Sequence, residues 1–127
     1  MSKPLLVTTR IRDFKASNTR PVVGETIDFT GYLEWHLFPI CRWYGLDGKP
    51  VKIIVDGKEV ASGTTSAGGF FRIYWTPKSP GEYIVRARYD GDPLYNACES
   101  PQIRIRGISQ RELKAQAPSP TKQRCQG

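Results

Sequence analysis

Hydrophobic and polar residues alternate with a period of two along most of this chain. In the segment 25–35, ETIDFTGYLEW, Ile27, Phe29 and Leu33 share one face while Glu34 falls on the other. This alternation predicts a strand with one buried face. The same pattern predicts further strands over residues 5–12, 50–57, 58–62, 68–77, 81–91 and 101–107.

Turn sequences rich in Gly, Pro and Asp separate these segments. LDGKP, VDGK, KSPGE and DGDP each stand between two alternating runs, and Asp56–Gly57 is a strong signal for a tight hairpin turn. No helical periodicity is present before residue 108. The sequence therefore predicts an all-β sandwich of about seven antiparallel strands over residues 4–108, followed by a short flexible basic tail over 109–127.

The order of these motifs resembles the bacterial and archaeal immunoglobulin-like domains of surface and virion proteins. VGETIDFTGYL, GKPVKIIVDGKEV, GTTSAGGFF and PGEYIVRARYDGDPLYNACES carry the likeness, which covers residues 22–106. The resemblance implies an immunoglobulin-like sandwich that acts as a spacer, an adhesive unit or an interaction surface. It also implies a structural role without enzymatic activity or cofactor, in a cell-surface or virus-particle assembly.

The insertion WHLFPICRWYGLD at 35–47 departs from that family pattern. The resemblance places it at the same end of the sandwich as the loop that carries Tyr95. Aromatic residues are enriched where proteins bind partners, so Phe38, Trp43, Tyr44 and Tyr95 are candidates for a protein-binding or self-association site. The alternative is an aromatic cluster that folds onto the open end of the sandwich, which is favoured for Phe38 and for Trp35.

The resemblance also brings two of the three cysteines to this end. A Cys41–Cys98 disulfide would close a loop of nearly sixty residues, worth up to ~4 kcal/mol. The alternative is two free thiols, as is normal in a reducing compartment. Cys125 is left over in the predicted tail.

No residue pattern indicates catalysis or a metal site. His36 is the only histidine, and no nucleophile and base stand near it in a known arrangement. The spacing of the cysteines and His36 matches no zinc motif. Asp90 and Asp92, together with Asp47, suggest calcium, but calcium needs about 6–8 oxygen ligands, and turn chemistry already explains DGDP. We therefore predict no metal.

Charge adds a second candidate function. The chain has 19 Lys and Arg against 12 Asp and Glu, a net charge of +7, with the excess at its two ends. If the first and last strands lie side by side, Arg10, Arg12, Arg104 and Arg106 would form a basic stripe able to attract nucleic acid. No stacking aromatics are expected between them, and protection of an edge strand from aggregation is the favoured explanation.

The N-terminal segment MSKPLLVTTRIRDF lacks the continuous apolar stretch of a signal peptide, and no apolar run reaches the length of a membrane span. We therefore expect an intracellular or virion-associated protein rather than a classically secreted one.

Overall fold

The computed structural model describes residues 7–37 and 42–109, which form two antiparallel sheets. The sheets are built from nine strands and contain one 3₁₀ turn at Ala67–Gly69. The strands are β1 (Thr9–Ala16), β2 (Ile27–Leu37), β3 (Arg42–Gly45), β4 (Pro50–Val55), β5 (Lys58–Thr64), β6 (Phe70–Trp75), β7 (Gly81–Tyr89), β8 (Cys98–Glu99) and β9 (Ile103–Gly107).

The first sheet has the order β1–β2–β3, with β6 also paired to β2. The second has the order β5–β4–β7–β8, with β9 also paired to β7. This arrangement confirms the predicted all-β sandwich. The described residues form nine strands instead of about seven because the short strands β3 and β8 were not predicted. Residues 4–6 and 110–127 lie outside the described part, so the domain and tail boundaries stay predictions. None of the described helices is long and apolar enough to cross a membrane.

The core lies between the two sheets and consists of the side chains that the alternating pattern assigned inward. Phe29, Leu33 and Phe71 of the first sheet are buried against Ile53 and Val85 of the second. Each such side chain contributes about 1.5–3 kcal/mol when it leaves water. Tyr89, at the end of β7, is also buried.

Two local backbone features shape the strands. Asp56 and Gly57 have φ values of +49° and +86°, the conformation of the tight hairpin turn that joins β4 to β5. In β1, the pairing register with β2 shifts between Arg12 and Lys15, and Asp13 has a φ of +56°. This irregularity is a β-bulge, which bends an edge strand and increases its twist.

The insertion at 35–47 is an extension of the sheet. β2 continues to Leu37, and β3 returns beside it as a hairpin. The base of this hairpin packs on the 3₁₀ turn: a Cβ atom on Gly69 would lie 2.1 Å from the Leu33 carbonyl oxygen, and one on Gly45 would lie 2.1 Å from the Gly68 carbonyl carbon. Glycine is required there because two backbones meet without room for side chains.

Contrary to the prediction, the first and last strands do not lie side by side. β1 pairs with β2 in one sheet, whereas β9 pairs with β7 in the other. The prediction that Arg10, Arg12, Arg104 and Arg106 form a single basic stripe is therefore wrong. The chain segment 19–23 takes the place beside β9, where the Arg106 amide donates to the Thr19 carbonyl at 2.8 Å.

Candidate functional site

The hairpin end of the molecule, which comprises residues 35–37, 42–46 and 90–97, carries the aromatic candidates. Trp35 pairs with Tyr44, and His36 pairs with Trp43, across β2 and β3. Because neighbouring residues of a strand point to opposite faces, these two pairs lie on opposite sides of the hairpin. Tyr44 therefore faces the loop that follows β7, and Trp43 faces away from it.

On the loop side, three aromatic rings form a cluster around Trp35. Its ring centroid lies 5.3 Å from that of Tyr44 and 6.5 Å from that of Tyr95, the latter in an edge-on arrangement. Trp35 is half-buried against the core, whereas 39% of Tyr44 remains exposed. The structure thus brings Tyr44 and Tyr95 together through Trp35. The expected proximity of Trp43 to Tyr95 is wrong, because Trp43 projects from the other face.

Asp92 holds the loop that presents Tyr95. Its Oδ1 accepts hydrogen bonds from the amides of Leu94 and Tyr95, each at 2.8 Å. Its Oδ2 accepts from Lys49 Nζ at 2.6 Å and from the Tyr89 hydroxyl at 3.2 Å. These bonds, that from Lys49 foremost, hold the pKa of Asp92 far below its ordinary value.

The same network involves the neighbours of Asp92. Burial, aided by the hydrogen bond to Asp92, raises the pKa of Tyr89 above its usual range. Lys49 Nζ also lies 5.3 Å from the centroid of the Tyr95 ring, so a cation–π contact adds to the ion pair. The ammonium therefore ties the loop to the strand edge at β4.

Asp90 and Asp92, two of the three carboxylates considered as calcium ligands, already lie beside lysine ammonium groups. Asp90 forms ion pairs with Lys52, whose Nζ lies 2.6 Å from Oδ2, and with Arg88, whose Nε lies 3.0 Å from Oδ1. Within residues 7–37 and 42–109, no three His, Cys, Asp or Glu side chains are grouped to hold a metal ion.

On the opposite side of the hairpin, arginines and aromatic rings alternate across the first sheet. The Arg10 guanidinium lies 4.0 Å from the centroid of the Trp43 ring, and that of Arg12 lies 4.6 Å from Tyr32. The His36 ring lies 5.0 Å from Trp43 on this face. The expectation that no aromatics stand between the arginines is therefore wrong for this sheet.

A buried glutamate organises these arginines. Glu34 Oε1 accepts from Arg10 Nε at 2.9 Å, and its Oε2 accepts from Arg12 Nε at 2.9 Å. The hydrogen bond to Glu34 raises the pKa of Arg12. Sequence reasoning missed this role, although Arg10-x-Arg12 on one strand and a single acid on the next were visible signals. Both guanidiniums are thus committed within the protein.

The remaining candidates are placed differently. Arg104 and Arg106 project to solvent from β9 of the second sheet. Cys98 is half-buried in β8 against the core, and burial raises the pKa of its thiol, which lowers its reactivity. Phe38 and Cys41 lie outside the described residues, so the role of Phe38 and the Cys41–Cys98 disulfide stay predictions.

Solved structures similar to this chain are immunoglobulin-like domains. The D0-D1 domain of intimin aligns with a TM-score of 0.51 at 17% identity, over 75% of this chain and 47% of that one. The CARDB domain of a Pyrococcus furiosus protein, solved with di-metal ions, aligns with a TM-score of 0.51 at 16% identity, over 80% and 87%. A C-terminal fragment of intimin, in complex with the intimin-binding domain of the translocated intimin receptor, aligns with a TM-score of 0.52 at 16% identity, over 77% and 33%.

These likenesses confirm the immunoglobulin-like sandwich fold. The chain spans about half the length of the intimin D0-D1 fragment that it matches. No protein-family model and no curated protein matches it.

Proposed function

We propose that this protein is a non-enzymatic structural or protein-interaction module that contacts a protein partner, or a second copy, through its hairpin end. The observation that carries the proposal is the set of aromatic rings left partly open there. Tyr44 is 39% exposed, Leu94 beside Tyr95 is 57% exposed, and Trp43 is half-buried on the outer face. Large aromatic side chains supply much of the binding energy in protein interfaces.

The rigidity of these rings supports a binding role. Tyr95 is fixed by the bonds of its loop to Asp92, and Trp43 is held between Arg10 and His36. A side chain already held in one orientation loses little conformational entropy on binding. Phe38 belongs to the proposed surface on sequence grounds.

The non-enzymatic part of the proposal has its own support. His36 stacks on Trp43, on the side of the hairpin facing away from the loop that leads to Cys98. The Cys98 thiol is half-buried with a raised pKa, the opposite of an activated nucleophile.

An intimin fragment that contains a sandwich similar to this chain was solved in complex with the intimin-binding domain of its receptor, and the likeness covers 33% of that fragment. At 16% identity this likeness supports the kind of role and does not locate the surface. A place in a cell-surface or virus-particle assembly, and an intracellular or virion-associated location, are further parts of the proposal.

The alternative, electrostatic binding of nucleic acid, has less support. Arg10 and Arg12 are paired with Glu34, and Arg104 and Arg106 belong to the other sheet. A groove that follows a phosphate backbone needs a continuous run of available cations.

Site-specific photo-crosslinking tests the proposal. A benzophenone side chain replaces either Tyr44 or, as the matched control, Tyr74, which is 61% exposed on the same sheet away from the hairpin end. In extracts of cells that naturally produce the protein, we expect one protein adduct from position 44 that disappears when Tyr95→Ala is added, because both rings contact Trp35 on the same side of the hairpin. The same adduct from position 74 would refute the site.

Sedimentation velocity of the purified protein tests the self-association version. We expect the unaltered protein to form a dimer as its concentration rises. This dimer should be lost in the Trp43→Ala/Tyr44→Ala variant and retained in the Tyr74→Ala variant. Loss of the dimer in both variants would contradict contact through the hairpin end.

A further inference from the structure

A small cleft on the outer face of the second sheet gathers basic side chains far from the aromatic rings. Its volume is about 250 Å³, and its lining comprises Thr19, Arg20, Glu82, Arg104, Ile105 and Arg106. Alternation along β9 directs Arg104 and Arg106 outward, because Ile105 between them is buried in the core.

The chain segment before β2 completes the cleft. The Arg106 amide donates to the Thr19 carbonyl, and the Ile108 amide donates to the Pro21 carbonyl, each at 2.8 Å. These bonds fix the backbone on both sides of Arg20 against the edge of β9. Three arginines therefore line one cleft, although they come from separate parts of the sequence.

The charges in this cleft are not balanced. Glu82 is the one carboxylate in the lining, and it stands directly opposite Arg106 in the β7–β9 ladder. In the part of the chain that the structure describes, neither Arg20 nor Arg104 forms an ion pair. By contrast, the outward-facing Arg72 pairs with Asp28, and Arg86 lies near Glu99.

We propose that this cleft binds a phosphate group. Arginine offers a planar array of five N–H donors that suits phosphate oxygens, and three guanidiniums against one carboxylate leave an excess of positive charge. The cleft is smaller than the roughly 300–1,000 Å³ of pockets that enclose whole small molecules. The phosphate group therefore enters the cleft while the rest of its carrier stays outside.

The site is independent of the hairpin end. It lies on β9 and the segment 19–21, whereas the aromatic candidates lie on β2, β3 and the loop after β7. Failure of one proposal therefore leaves the other standing, and both can be measured on the same protein.

Thermal unfolding with inorganic phosphate tests the proposal, with sodium chloride at matched ionic strength and pH as the reference. The melting temperature is expected to rise with phosphate and to saturate, since a ligand that binds the native state stabilises it. Arg104→Gln or Arg20→Gln should weaken binding by about tenfold or more, the range expected for a lost charge-assisted hydrogen bond. Glu82→Gln should strengthen binding, because it removes the opposing charge.

Arg86→Gln is the matched control, because Arg86 is an exposed arginine on the same face that already contacts Gln102 at 2.8 Å. It should leave the phosphate response unchanged. Melting temperatures in chloride show whether each variant is folded. Glycerol phosphate and vesicles with a phosphomonoester lipid then distinguish a soluble carrier from a membrane surface, and either response must depend on Arg104. A phosphate effect no larger than that of chloride, or an equal loss in Arg86→Gln, would overturn the proposal.

Discussion

Replacing glycine by alanine in the 3₁₀ turn beneath the hairpin should show whether glycine is needed there to avoid a steric clash or only to adopt a positive φ. Gly68 and Gly69 are adjacent and have φ values of +78° and +80°. A Cβ atom on Gly68 would meet nothing within 4 Å, whereas one on Gly69 would lie 2.1 Å from the Leu33 oxygen and 2.9 Å from the Leu46 nitrogen. Gly68→Ala is therefore a control with the same backbone conformation and free space.

The two substitutions should differ clearly in the free energy of unfolding. A left-handed alanine costs about 1–2 kcal/mol, partly offset by about 0.4–1 kcal/mol from the stiffer unfolded chain, so Gly68→Ala should cost about 1 kcal/mol. Gly69→Ala adds overpacking of about 1–3 kcal/mol. It also strains the 2.9 Å hydrogen bond from the Leu46 amide to the Leu33 carbonyl, worth about 0.5–1.5 kcal/mol. We expect a difference of about 2–4 kcal/mol between the variants.

Urea unfolding followed by tryptophan fluorescence measures this difference through the midpoint concentration at a constant slope. Nuclear magnetic resonance of the indole N–H groups adds a local readout, because displacement of the hairpin base should shift the Trp43 and Trp35 signals only in Gly69→Ala. Equal destabilisation by the two substitutions would refute the steric argument, and so would unchanged indole signals in Gly69→Ala.

Three further predictions concern charge and thiols. Asp92→Asn should lower the melting temperature at pH 7, and the melting temperature of the variant should fall less steeply in acid. The pKa of Asp92 is depressed in the native state, so the stabilisation by its carboxylate is present above about pH 4 and is lost as the pH falls toward the native pKa. Parallel curves of melting temperature against pH for the two proteins would contradict this. DNA resin should release the protein at moderate salt, because the arginines that line the cleft beside β9 do not form a continuous run along a phosphate backbone. Steep salt-dependent binding that is lost when Arg10, Arg12, Arg104 and Arg106 are all replaced by Ala would favour nucleic acid instead. Thiol counting on denatured, unreduced protein decides the Cys41–Cys98 disulfide: one free thiol supports it, and three exclude it.

The sequence was sufficient to predict the faces of the strands and the tightest turn. Ile27, Phe29 and Leu33 are buried because a period of two fixes which side chains point inward whatever strand lies alongside. Asp56–Gly57 was predictable because few residues adopt positive φ at both turn positions. Both signals are local in the chain.

The candidate sites depend on which strands are neighbours, and that information is not local. Glu34 falls on the polar face by alternation, yet it is buried because Arg10 and Arg12 of β1 cover it. Trp43 and Tyr44 are adjacent in sequence, and only the register of β3 against β2 shows that Tyr44 lies beside Trp35 and Trp43 beside His36. Arg20 lines the cleft beside β9 because its neighbours Thr19 and Pro21 bond to that strand through the backbone, a contact that no sequence spacing reveals.

The bulge in β1 has a consequence for how copies of this protein could assemble. A straight strand added to that edge would keep its register on one side of Asp13 and lose it on the other, where the backbone turns away. Continuous growth of the first sheet from molecule to molecule is therefore blocked at this edge. If two copies associate through the same hairpin surface, the contact buries that surface on both copies. No hairpin surface is then left for a third copy, and the product is a closed dimer instead of a fibre.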